Sequence, residues 1–143
     1  MNRIAFLAAV VLFAGAAQRG LADEPKAENK LVGTWKLVSA KYGGEDYKFP
    51  EGNTTIKHVT PTQFMWATYD SDGKVTRAAG GGYTMKGDAY EETPEYGISA
   101  DFDTIKGKAH TFKWKVDGNK WRHDGKLSNG LTIEEVWERV EKK

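Results

Sequence analysis

The sequence contains no cysteine, so neither a disulfide framework nor a thiolate metal centre is open to it, and stability has to come from packing. No charge sign dominates: 21 basic residues face 20 acidic ones, a formal net charge of +1. That balance leaves no basic footprint for nucleic acid. Beyond residue 30 no segment keeps apolar residues at helical spacing for three turns, which argues against a helical bundle. The glycine-rich segment AAGGGYTMKGD, Ala78 to Asp88, has the glycine spacing of a phosphate loop between Gly82 and Gly87. It then places Asp88 where such a loop needs lysine, and an acid repels phosphate.

What is present begins with an apolar N-terminus. Arg3 precedes an apolar run from Ile4 to Ala17, shorter than the roughly 20 residues that span a bilayer. Gly20 and Ala22 supply small residues where a signal peptidase reads. Residues 1–22 are therefore expected to be a removed export signal, leaving no membrane span, with the protein periplasmic or secreted. Loss of Arg3 and Arg19 from the 21 basic residues leaves 19 against 20 acidic ones. Residues 23–30, with Pro25 and mixed charges, read as a flexible leader, and 31–143 as one domain.

From Leu31 onward short β-type runs alternate with Gly, Asn and Asp. The runs are Gly33 to Lys41, Thr54 to Thr60, Gln63 to Tyr69, Lys74 to Met85, Ala89 to Glu95, Gly107 to Val116, Lys120 to Lys126 and Leu131 to Val140. Asp72-Gly73, Lys86-Gly87-Asp88, Asp117-Gly118-Asn119 and Asn129-Gly130 supply tight-turn chemistry between them. Asp70 to Gly73 opens like a calcium loop but lacks its later ligands, so it reads as a hairpin turn. The pattern predicts an all-β fold, a single antiparallel up-and-down barrel of about eight strands. A two-sheet sandwich is the alternative.

The two-residue period sorts side chains by face. It turns Trp35 and Leu37 inward, then Phe64 with Trp66, Tyr90 with Glu92, His110 with Phe112, Trp114 and Val116, and Trp121 with His123. In the last strand Ile133 and Trp137 carry Glu135 and Arg139 to the same side. Asp88 to Asp103 is acidic and Lys106 to Lys126 basic, which suggests cross-strand ion pairing on the outer wall. Gly81 shares the inward face of Tyr83, leaving a bare stretch of wall to be filled by a tryptophan from across the barrel or by a ligand.

LVGTWKLVSA, Leu31 to Ala40, resembles the G-x-W start of the lipocalin and fatty-acid-binding-protein superfamily. With EEVWERV, Glu134 to Val140, it is similar to small exported bacterial lipocalin-like domains. The resemblance implies that Trp35 packs at the closed end of the barrel under Arg139. Two family features are missing: there is no room between Lys41 and Asn53 for a helical lid, and the carboxylate-binding R-x-Y appears as Arg139-Val140-Glu141. The resemblance therefore carries the fold further than the ligand.

A buried carboxylate and two buried imidazoles must be hydrogen-bonded or line a wet cavity. In one reading Glu92, His110 and His123 form an internal network. In the other, Tyr83, Tyr90, Glu92, His110 and His123 place polar groups on an aromatic wall of Trp66, Phe112, Trp114 and Trp121, a pocket for a small hydrophobic or aromatic ligand. Zinc on Glu92, His110 and His123 lacks diagnostic spacing, and no motif selects haem ligation by either histidine. No cofactor is expected. The expected function is small-molecule binding, against a ligand-free envelope protein or an acid–base barrel enzyme.

Overall fold

The computed structural model describes residues 29–141; the expected signal segment, 1–22, lies outside them, as does all of the leader but residues 29 and 30. The strands are β1 (Gly33–Tyr42), β2 (Glu45–Asp46), β3 (Thr54–Val59), β4 (Gln63–Tyr69), β5 (Val75–Lys86), β6 (Ala89–Ile98), β7 (His110–Asp117), β8 (Lys120–Lys126) and β9 (Thr132–Arg139), with one short helix, α1 (Phe102–Ile105), between β6 and β7. From β3 to β9 each strand pairs antiparallel with the next, β1 pairs with β3, and β9 returns to β1. The expected up-and-down barrel therefore forms, eight strands closed on themselves. β2 is an extra two-residue strand that folds back on the end of β1, pairing Lys41 with Asp46. Among the described residues no helix is long and apolar enough to cross a membrane.

Turn chemistry sets the register. At the β4–β5 hairpin Asp70 Oδ1 accepts from the backbone N–H of Asp72 and Lys74, at 3.0 and 2.9 Å, and Gly73 takes φ 78°. This is a side-chain-templated hairpin, as the sequence indicates. Two expected limits shift by more than one residue. The strand beginning at Ala89 runs on to Ile98, and β7 starts at His110 rather than Gly107, because α1 and the turn after it occupy the intervening chain.

The closed end is sealed by three residues from the start of β1 and the end of β9. Trp35 is fully buried and donates from Nε1 to the Leu31 carbonyl at 2.8 Å. The Arg139 guanidinium lies 4.1 Å above its ring and donates to the carbonyls of Val32 and Lys30, at 3.0 and 2.7 Å. Gly33 has φ 142°, and a Cβ there would lie 2.6 Å from Arg139 Nη1. The G-x-W pattern thus has a steric cause: the arginine occupies the glycine's missing side chain. Val140 N–H to the Thr34 carbonyl, 2.8 Å, fixes the end of β9 beside the start of β1.

Above that floor the closed half is packed with rings. Trp35 meets Trp121 edge-on at 5.5 Å, Trp121 meets Tyr90 at 5.4 Å, and Tyr90 meets Tyr83 at 5.3 Å. Such contacts combine large apolar burial with favourable ring geometry.

Two expectations, one of the outer wall and one of the inner, are corrected. No ion pair joins the acidic β6 segment to the basic β7 segment among the described residues, because the register places Glu91 opposite Thr111, whose hydroxyl donates to it at 3.0 Å. The wall over Gly81 is neither tryptophan nor open space. The β5–β6 register shifts between Gly80 and Gly81, and a Cβ on Gly81 would strike the Thr93 carbonyl oxygen and lie 2.9 Å from Glu95 N. Glycine is needed because a bulged neighbouring backbone comes too close.

Candidate functional site

The opposite half of the barrel is hollow. A cavity of about 240 Å³ opens between the start of β3 at Thr55, the end of β4 at Thr68, the start of β5 at Arg77 and α1 at Ile105. Tyr47, just after β2, meets Tyr42 edge-on at 5.1 Å and helps line the cavity.

Two buried polar clusters mark the boundary between cavity and packed floor. In the first, Lys57 Nζ donates to Glu92 Oε1 at 2.8 Å, and the Tyr90 hydroxyl donates to the same oxygen at 2.6 Å. Lys57 is only 2% exposed. Its ammonium also sits over the rings of Trp137 and Trp121, at 4.9 and 5.1 Å. A lysine survives such burial only when paired, and here a carboxylate and two indole faces replace water. In the second, Glu135 accepts from Tyr42 at Oε1, 2.8 Å, and from His123 Nε2 and Trp137 Nε1 at Oε2, 2.6 and 3.0 Å. His123 Nε2 must carry the hydrogen, since a carboxylate only accepts.

Desolvation would raise the Glu135 pKa. The His123 hydrogen bond, the charges of His123 and Lys57 and the Tyr42 hydroxyl outweigh it and hold the carboxyl at about 2. Burial raises the Tyr90 phenol, helped by the adjacent Glu92 charge. His110 is different. It is 2% exposed, neither ring nitrogen has a partner, and burial lowers its pKa, so the ring is held neutral.

The lipocalin-like domain model matches residues 31–114. The chain belongs to the lipocalin-like domain family. No curated protein matches it. Among solved structures, a lipocalin-like protein from Bacteroides uniformis is 19% identical, with 77% of this chain and 98% of that chain covered and a TM-score of 0.53. A biogenic amine-binding protein is 12% identical, with 78% of this chain and 64% of that chain covered and a TM-score of 0.52. At such identities the likeness speaks to the fold alone.

In this lipocalin-like barrel the sequence-derived candidates divide by depth. Trp66, Glu92, His110, Phe112 and His123 lie on the cavity wall. Tyr83, Tyr90 and Trp121 do not: they are buried in the packed half, and Trp114 is partly buried against the same core. Glu92, His110 and His123 do not form one cluster either. Glu92 is taken by Lys57 and His123 by Glu135, and among the described residues no three His, Asp or Glu converge as metal ligands.

Lys57 is the functional residue that sequence reasoning missed. Its strand reads TTIKHV, where Ile56 and His58 share one face and Lys57 and Val59 the other. Either face is a plausible interior until the partner carboxylate on β6 is placed. Tyr42 and Glu135 are the other additions, with Glu135 signalled by its place between the inward Ile133 and Trp137.

Proposed function

We propose that this protein is an exported binding protein that holds a small, largely apolar molecule of one or two rings in the open half of its barrel. The observation that carries this is the cavity itself. A volume of about 240 Å³ exceeds the ~150 Å³ that accommodates benzene and falls short of the ~300 Å³ where drug-sized sites begin. Its apolar wall includes Leu37, Trp66, Phe112 and Ile133, and the carboxylates beside that wall, Glu92 and Glu135, are fixed in place by hydrogen bonds, a combination found in ligand sites. The volume argues against haem as cargo. It also argues against the alternative of a wholly filled structural barrel. The same fold serves a protein that binds biogenic amines, which supports small-molecule capture as its use here. Export rests on the apolar N-terminal segment alone.

Titrating the purified protein with apolar aromatic probes while following Trp fluorescence is the direct test, since Trp66 and Trp137 line the cavity. Saturable quenching is expected. Strictly linear, non-saturating quenching with every probe would remove the binding reading. Mass analysis of protein recovered from a bacterial periplasm tests export, with loss of residues 1–22 expected and an intact N-terminus counting against it.

A second reading, proton transfer, is favoured by one observation. His123 lines the cavity, is oriented by Glu135 and keeps a buried, unpartnered Nδ1, the pairing of an imidazole base with its positioning carboxylate. Exchange of enolisable protons of small ketones in deuterated water would support it, and its absence across a ketone panel would end it.

A further inference from the structure

Hydrogen-bond accounting in the cavity narrows the ligand class. Glu135 has both oxygens occupied, by Tyr42, His123 and Trp137. Glu92 has not. Lys57 and Tyr90 both donate to Oε1, and among the described residues nothing donates to Oε2. Directly across the β6–β7 ladder from Glu92 sits His110, on the same cavity wall, with both ring nitrogens unpartnered. A buried group in this state is short of about 1–3 kcal/mol per missing partner, and a neutral imidazole has one donor and one acceptor to offer. Adjacent on the wall are thus an acceptor, the second oxygen of an ion-paired carboxylate, and a group that can both donate and accept.

We infer that the ligand is an uncharged aromatic compound bearing a hydroxyl group, a phenol in the simplest case, whose oxygen donates to Glu92 and accepts from His110. The inference rests on the binding reading above. One hydroxyl satisfies both requirements, because it donates one hydrogen and accepts through two lone pairs. An ammonium would share its carboxylate with Lys57, whose charge already lies 2.8 Å from Glu92, and like charges in a low-dielectric site repel strongly. A carboxylate beside His110 would face both Glu92 and Glu135, with Lys57 already engaged and the other cation of the wall, Arg77, exposed at the mouth. A plain hydrocarbon would leave Glu92 Oε2 and His110 without partners. The neutrality of His110, held by burial, fits a ligand that carries no charge.

The test is a comparison of four probes of similar size against the whole protein by calorimetry: para-cresol, toluene, para-toluate and benzylamine. Para-cresol should bind about ten-fold more tightly than toluene, the value of one well-made hydrogen bond, and more tightly than either ion. His110→Phe should reduce the cresol-to-toluene ratio to about three-fold or less while toluene still binds, which keeps loss of the hydrogen bond separate from loss of the cavity. Equal binding of toluene, tighter binding of benzylamine or para-toluate, or an unchanged ratio in the variant would each overturn the inference. If His110→Phe does not fold, the ranking on the unaltered protein decides. Failure of all four probes would instead strike the binding reading itself.

Discussion

Trp35, Gly33 and Arg139 act as one unit, and each should be sensitive for a different reason. Removing the fully buried indole with Trp35→Ala is expected to cost about 3–5 kcal/mol in urea denaturation, and a loss below about 1 kcal/mol would show that the floor is not sealed by this ring. Gly33→Ala is expected to destabilise by about 1–3 kcal/mol, since the backbone there has φ 142° and the new methyl meets the guanidinium. Acid sensitivity belongs to His110 and Glu135. Burial lowers the His110 pKa, so the unfolded chain takes up a proton that the folded protein refuses. Stability from this source is complete above pH 6.5 and declines as pH falls below it. Glu135 is held at about 2 against an ordinary 4.5, so its contribution is present above pH 4.5 and is lost as pH falls towards 2. Urea melts across this range should show both declines. His110→Phe should remove the first, and an identical pH profile in that variant would contradict the assignment.

At the scale of elements, the hairpin residues specify most of what forms. Asp70 and Gly73 carry their turn within five residues, so nothing distant is needed to read it. The bulge in β6 opposite Gly81 is a different case. Three consecutive glycines mark a special wall, but only the register shift against β6 reveals that the Thr93 carbonyl fills the position over Gly81. Gly81→Ala should therefore cost about 1–3 kcal/mol through overpacking. Gly82→Ala is a near-neutral control: the nearest atom to its Cβ is Glu95 Oε1 at 3.9 Å and its φ is not positive. Equal destabilisation by the two would show that the bulge does not set the requirement. Helix α1 escapes sequence reading because four residues are too few to express a helical period. The face a strand side chain occupies is legible from the period of two, but its depth along the barrel is not. Tyr90 and Glu92 share a face, yet one lies in the packed half and the other on the cavity wall. Depth follows from the register of eight strands together, and so the candidate site was legible only in part. Lys57 was hidden for a related reason, since its burial depends on a carboxylate 35 positions along the chain.

For the molecule as a whole, closure between β1 and β9 joins the first strand to the last, so no strand of the barrel can separate without opening the entire ladder. Unfolding is accordingly expected to be a single cooperative transition, with far-ultraviolet dichroism and Trp fluorescence giving the same urea midpoint. Separate midpoints would indicate that the packed and hollow halves melt independently. The long-range pairing of β1 with β9 also places folding among the slower topologies. The cavity and the two ends of the described stretch lie at opposite poles: Asn29 and Leu31 meet at the sealed end, as do Thr34 and Val140, whereas Thr55, Thr68 and Ile105 surround the mouth. A tether, fusion partner or solid support joined before residue 29 or after residue 141 would therefore hold the barrel by its base. Either attachment leaves the entrance turned towards solution, and the rate at which ligand is captured should not depend on which end is anchored.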